Sequence, residues 1–185
     1  MDDKITHGEK QYILGLSRDL LEKLVRREEP SLLIEEKTPP ILKEKCGLFV
    51  TLYKNGDLRG CIGRITSDIP AYELLPKMLY AAAFEDYRFE NVTPDELDEI
   101  TFEISLLTPL KKINHIGEIE LGKHGVYLKK GFNSGTFLPK VATTMGWGVE
   151  ELLGHCCRDK AQMDWEDWKK ADISTYESLV IKEEE

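Results

Sequence analysis

The stretch Asn55–Gly63, NGDLRGCIG, sets an arginine and a cysteine two residues apart, with Gly60 between them and Gly63 just beyond. A free thiol titrates near pH ~8.5, and a neighbouring cation favours the reactive thiolate. On a β-strand, side chains two apart share a face at roughly 7 Å. At an effective dielectric of 20 that separation is worth about 2 kcal/mol, and less with water between. Arg59 thus offers modest activation of Cys61 and a docking point for an anion, but no base. Cysteine chemistry usually needs a histidine within hydrogen-bond reach. His7, His115, His124 and His155 are all distant in sequence. His124, flanked by Gly122 and Gly125 in a turn, is the candidate base. The competing reading makes Cys61 a structural thiol buried in its strand.

Other groups invite the same two-sided reading. Gly60 and Gly63 mark either a bulge or close backbone packing, or room for a ligand or partner chain to approach the sheet. Asp86 and Arg88, in AAAFEDYRF, form either an ordinary ion pair at a helix end or a charged pocket wall. Cys156 and Cys157 follow Leu152 and Leu153 at helical spacing and read as core; side chains of helix neighbours diverge by about 100°, poor geometry for a shared metal. Trp165 and Trp168 read as packing anchors. No Cys-x-x-Cys pair, metal-ligand spacing, phosphate loop or G-x-S-x-G motif occurs, so neither metal nor cofactor is expected.

The elements that must position these groups follow from period and punctuation. Thr6 and Glu9 fit a capping box, and Ile13, Leu16, Leu20 and Leu24 recur at helical spacing, predicting a helix from about 7 to 28. Glu35 to Lys45 reads as a surface connection in which Pro39-Pro40 blocks a helix. Gly47 to Gly63 is a hairpin, because Asn55-Gly56 suits the two positive-φ positions of a type I′ turn. That turn pairs Lys54 with Asp57, Leu52 with Arg59 and Val50 with Cys61. Arg59 and Cys61 then share one face, and Leu58, Gly60 and Ile62 the other. A helix runs from Asp68/Pro70 to about Phe84, with Pro76 in a first turn or at a kink. Thr93–Glu96 combines a capping box with proline at the first helical position. ITFEISLL alternates as a half-buried strand. HGVYLKKGFNSGTFLP is a second hairpin, and helical patterns cover about Lys140 to Met145 and Val149 to Ala161. Strands and helices without regular βαβ alternation indicate an α+β fold.

Composition bounds the partners. With 185 residues, roughly 70% of the unfolded surface can be buried, enough for one domain with a possible small lobe. The net charge of −9 and 41% apolar content disfavour anionic membranes and extended nucleic-acid contact. No apolar run reaches the ~18 residues of a membrane span, and MDDKITHGEKQ lacks a signal-peptide core. A cytoplasmic location with reduced thiols is therefore expected.

GLFVTL, LRGCIG, AAAFEDYRF, EISLLTP, GKHGV and FLPKVA occur in the order found in the AMMECR-one domain, called AmmeMemoRadiSam system protein A in prokaryotes, and the chain resembles that family from about Gly47 to Trp168. LRGCIG is the most specific of these motifs. Tyr87 stands where the family commonly carries proline. The resemblance implies a mainly antiparallel α+β fold with a larger and a smaller lobe, with LRGCIG near a cleft between them. It implies an unsettled biochemical function, associated with a dioxygenase-like Memo protein and a radical SAM protein. Carried over by position, the site comprises Leu58, Arg59, Gly60, Cys61, Ile62, Gly63, Asp86, Arg88, Phe89 and His124. The reading that follows is a binding or accessory protein of a modification pathway, taking a peptide, small molecule or partner at that segment. The alternative is a cysteine-dependent enzyme or group carrier with Cys61 as nucleophile or attachment point, Arg59 as anion clamp and His124 as base. A nucleic-acid or nucleotide binder is the third reading.

Overall fold

A computed structural model describes residues 5–29 and 38–183. In chain order the elements are α1 (His7–Arg26), α2 (Pro40–Lys43), β1 (Leu48–Lys54), β2 (Asp57–Arg64), α3 (Ala71–Phe84), β3 (Ile100–Leu107), β4 (Lys111–Lys112), β5 (Gly125–Lys130), β6 (Asn133–Phe137), α4 (Lys140–Met145), α5 (Val149–His155), β7 (Asp172–Tyr176) and β8 (Ser178–Lys182). They fall into two compact units, Met1–Leu107 with Leu179–Glu185, and Thr108–Ser178.

The first unit is built on a sheet of order β2-β1-β3-β8, with β1 antiparallel to both β2 and β3. Its inner face carries Leu48, Val50 and Leu52 from β1 and Phe102, Ile104 and Leu106 from β3, all buried. α3 packs on β1 and β2, and α1 packs on α3. Each fully buried Leu, Ile or Phe in this layer stabilises by about 1.5–3 kcal/mol. The Thr6–Glu9 capping box forms as expected, and α1 stops where Arg27 turns left-handed at φ 59°.

Three expectations need correction in this unit. Pro39-Pro40 does not block a helix: Pro40 opens α2, where its missing N–H is one the helix would not use, and Ile41 and Leu42 are buried. The part of the proposed surface connection before Thr38 lies outside the described residues. Of the two places expected for Pro76, the first turn is excluded: it is sixth in α3, inside the helix. β3 is not half-buried: Glu103 and Ser105, on its polar face, are only 8% and 2% exposed.

The second unit has a sheet of order β4-β7-β5-β6, and the expected second hairpin is β5–β6. Its core gathers Val126, Leu128, Leu152, Leu153, Cys156 and Cys157. Trp168 is buried too, with its indole N–H unpaired among the described residues. The helix expected to reach Ala161 ends at His155 and widens into a π-turn over Cys156–Lys160. The molecule is thus α+β, with antiparallel strands and flanking helices. Among the described residues no helix is long and apolar enough to cross a membrane.

Candidate functional site

The hairpin turn is the one the sequence predicts: Asn55 and Gly56 both have positive φ, 51° and 84°, and Lys54 pairs with Asp57. Two residues on, the register departs from expectation. Tyr53 pairs with Leu58 but Leu52 with Gly60, so Arg59 is an extra residue in a β-bulge. Cys61 therefore faces Thr51, not Val50. Cross-strand partners share a face, so Leu58 joins Tyr53, Thr51 and Cys61 on the outer face, while Gly60 and Ile62 stay inward. Ile62 packs on the core cluster.

The bulge has a visible cause in what Arg59 binds. Its Nε and Nη2 donate to the two carboxylate oxygens of Glu96, each at 3.1 Å. Nη1 donates to the Glu90 carbonyl (2.7 Å) and Nη2 also to that of Asn91 (3.3 Å). This bidentate fork is the strong form of the pairing. Glu96 is itself the capping-box residue of the 3-10 turn Pro94–Glu99, accepting the Thr93 N–H, and it also binds Lys54. The guanidinium beside it, then the Thr93 amide and Lys54, hold its carboxyl down to about 2 against burial. Arg59 thus locks the hairpin to the turn before β3, and the positive charge its spacing offered to Cys61 is matched by Glu96.

The guanidinium that does meet Cys61 is Arg88. β2 is an edge strand, and its outward groups at Cys61 are capped: the Cys61 N–H donates to Asp86 Oδ2 (2.8 Å), and Arg88 Nη2 donates to the Cys61 carbonyl (3.3 Å). Asp86 and Arg88 are joined by three further bonds: Arg88 Nε and Nη2 donate to the Asp86 carboxylate at 2.8 and 2.6 Å, and the Arg88 backbone N–H at 3.3 Å. The Arg88 bond, with the amides of Cys61 and Arg88, lowers the Asp86 carboxyl to about 2 despite its burial. Phe89 lies under the Arg88 guanidinium, 5.3 Å from ring centroid to Cζ. The loop after α3 is therefore fastened to β2 twice, by Asp86–Arg88 at Cys61 and by Arg59 at Glu90 and Asn91, which also shields the strand edge. Tyr87, between Asp86 and Arg88, is almost fully exposed.

The two glycines answer to packing. A Cβ on Gly60 would lie 2.2 Å from the carbonyl oxygen of Ala82 in α3, and one on Gly63 would lie 2.3 Å from the Phe49 ring. The room they leave is filled by the protein's own helix backbone and aromatic ring, not kept for a ligand.

What remains on the outer face is a polar row. Cys61, Thr51 and Glu103 are successive cross-strand partners on β2, β1 and β3. The Cys61 sulfur lies 3.3 Å from the Thr51 hydroxyl. Tyr53 stands beside the row; burial first, then the Glu103 and Cys61 charges, push its phenol up. Cys61 is half-buried, whereas Cys156 and Cys157 are sealed in the second unit's core. Burial raises the Cys46 thiol to about 11 and Cys156 to about 12. Thr51, Tyr53 and Glu103 were not singled out from the sequence. The available signal was polar residues at alternate positions of two strands that turn out to be central in the sheet.

His124 belongs to the second unit. Its ring Nδ1 accepts the Glu120 N–H (3.1 Å), and its backbone N–H donates to the Glu120 carbonyl (2.9 Å), closing the turn before β5. The first unit contains one histidine, His7, at the start of α1. Among the described residues, no group of three or more His, Cys, Asp or Glu is placed to hold a metal ion.

The family model AMMECR1 matches residues 14–181. A protein of Methanosarcina barkeri is 39% identical over 179 residues, 88% of each chain. One of Methanopyrus kandleri is 37% identical over all of this chain and 93% of its own. The crystal structure of an uncharacterized protein from Pyrococcus horikoshii has a TM-score of 0.89 to this fold at 31% identity, covering 98% of this chain and 94% of that one.

Proposed function

This chain belongs to the AMMECR1 family, and from that premise we propose that it is a binding protein, accessory to a modification pathway that includes Memo-like and radical SAM proteins, and that it binds through the outer face of the β2-β1-β3 sheet. The observation that carries the reading is the Cys61–Thr51–Glu103 row. Three adjacent strands line up a half-buried thiol with a buried hydroxyl and a buried carboxylate, opposite a face that is wholly apolar core. Withdrawing polar groups from water is costly unless they are matched, so a sheet face of this composition does more than fill space. Arg59, Asp86 and Arg88 act beneath the site: they fix the backbone of β2 and hold Cys61 in place. Leu58 and Cys61 offer direct contacts. A cytoplasmic setting fits this role and keeps the thiol reduced.

Titration calorimetry of a purified Memo-like protein into this chain tests the reading. Cys61→Ser preserves the small polar contact and should bind nearly as wild type. Cys61→Tyr and Leu58→Arg crowd the face and should weaken binding at least tenfold, about 1.4 kcal/mol. Undiminished binding by both crowding variants, with their folds intact, would remove the proposal.

A second reading is favoured by one observation, the half-buried Cys61 thiol against the Thr51 hydroxyl. In it Cys61 is a nucleophile or attachment point, with its base among the first unit's own Glu103 and Tyr53. Loss of pathway activity in Cys61→Ser with partner binding intact would select this reading over the first.

A further inference from the structure

The first unit's sheet has β2 at one edge and β8 at the other. Asp86 and Arg88 close the β2 edge at Cys61. Among the described residues, no strand pairs with the outer side of β8. The Glu183 N–H donates to the Phe102 carbonyl of β3 (3.1 Å). Main-chain groups alternate in direction along a strand, so those of Ile181 also turn toward β3, and those of Val180 and Lys182 turn away from the sheet. Val180 and Lys182 line a groove of about 780 Å³, whose other wall is Gln11, Leu14, Gly15 and Arg18 of α1. All of these residues belong to the first unit.

The helix wall is shaped for an extended chain. Gln11, Leu14 and Arg18 follow at steps of three and four and form one stripe. With His7, which also lines the groove, the stripe runs ~16 Å. That is the length of about five extended residues, and β8 itself has five. Gly15 is exposed, and a Cβ there would meet nothing within 4 Å. No packing inside the protein therefore accounts for a glycine, the least favourable residue but proline within a helix. A second backbone lying against the helix does account for it, because the bare Cα lets that backbone come close. Charge selects the kind of chain. Arg18 is bound to Glu183, the one carboxylate among the described lining residues. That pair cancels, and Lys182, exposed on the outward face of β8 because Ile181 is buried inward, remains as a further cation.

We propose that β8 accepts a strand from a partner protein, an acidic extended segment of about five residues that adds to its open edge. The segment exchanges main-chain hydrogen bonds with Val180 and Lys182. Its alternate side chains divide between two surfaces: apolar ones rest on Leu14 and over Gly15, and carboxylates lie beside Lys182. This edge is at the opposite side of the sheet from Cys61, so the inference stands apart from the reading of the Cys61 face.

The test is an amide NMR titration of the whole chain with the peptide acetyl-Glu-Val-Glu-Val-Glu-amide, and with acetyl-Lys-Val-Lys-Val-Lys-amide as its control. The acidic peptide is expected to shift the Val180 and Lys182 amides saturably and to slow their hydrogen exchange, with the basic one doing neither at matched concentration. Val180→Pro removes an outward N–H, a change that an edge strand tolerates, and should weaken the acidic peptide about tenfold or more through the lost ladder bond and the crowding of its neighbour. Gly15→Leu fills the groove and should weaken the peptide to a similar extent while raising the melting temperature, since leucine favours the helix. Lys182→Met should weaken it about threefold, the scale of an exposed ion pair. Cys61→Tyr should leave it unchanged. No saturable shift with the acidic peptide, an equal response to the basic one, unchanged affinity in Val180→Pro or Gly15→Leu, or loss of binding in a folded Cys61→Tyr would each overturn the proposal. So would light scattering that finds the chain a dimer and Val180→Pro a monomer, because the edge would then belong to a second copy.

Discussion

Asp86 accepts the backbone N–H of Cys61 at 2.8 Å and is 4% exposed, so a buried carboxylate, not a neighbouring strand, completes the edge of β2 at its thiol. Asp86→Ala would strip that amide of its partner and release Arg88. Breaking a fully buried pair costs about 3–5 kcal/mol. Arg88 is 41% exposed at its side chain and can turn to water, so the unsatisfied amide governs, at about 1–3 kcal/mol. Urea unfolding should show a lower midpoint at unchanged slope, and exchange of the Cys61 amide hydrogen should accelerate.

Acid should loosen the same region. The folded-state carboxyls of Asp86 and Glu96 are both held near 2, below the ~3.9 and ~4.3 of unfolded chains. Groups depressed in the folded state stabilise above their unfolded pKa, and that contribution fades as pH falls through the folded value. Each should contribute on the order of 2 kcal/mol at neutral pH, lost progressively from about pH 4 to pH 2. Melting followed across this window should show a steep fall in wild type and a flatter one in Glu96→Gln. Equal slopes would show that the Arg59–Glu96 fork does not hold the hairpin.

Much of this site was legible in the sequence, and the illegible part has one physical origin. The Asn55-Gly56 turn, the Thr93–Glu96 capping box and the strand alternation of Phe102, Ile104 and Leu106 are local signals and appear in the fold as read. The bulge at Arg59 is not local. It follows from a bond to Glu96, 37 positions away, and it moves Leu58 to the outer face and gives Cys61 a threonine partner. Glu103 reads as solvent-facing in a strand taken alone, because its burial depends on β1 and β8 flanking β3. Asp86 and Arg88 were visible as a pair, but their target, the backbone of an edge strand, carries no residue-type signature.

Two glycine substitutions should act in opposite directions. Gly15 is exposed in α1, and a methyl added there would meet nothing within 4 Å, so Gly15→Ala should stabilise by about 1 kcal/mol through helix propensity. At Gly60 the same methyl would meet the Ala82 carbonyl at 2.2 Å. Backbone cannot step aside as a side chain can, so Gly60→Ala should destabilise at the upper end of the ~1–3 kcal/mol range for overpacking. Thermal melts of the two variants provide the comparison, and a neutral Gly60→Ala would mean that α3 does not press on β2.

The four thiols should separate cleanly under iodoacetamide, in which a thiolate displaces iodide from the reagent's methylene carbon. Cys156 and Cys157 are buried in the second unit's core, and burial raises both thiols. Cys46 is half-buried, but desolvation, reinforced by the charge of Glu44, pushes it up to about 11. At neutral pH that leaves only about one part in ten thousand as thiolate. Cys61 is half-buried beside a hydroxyl, on a strand whose backbone is pinned by Asp86 and Arg88. Peptide mapping after brief native labelling at neutral pH should therefore find the modification at Cys61 first. Asp86→Ala should change that rate by freeing the strand edge, while the three other thiols stay silent until the chain unfolds. Faster labelling of Cys46, or no labelling at Cys61 before denaturation, would leave Cys61 an internal packing residue and take the thiol out of the binding surface.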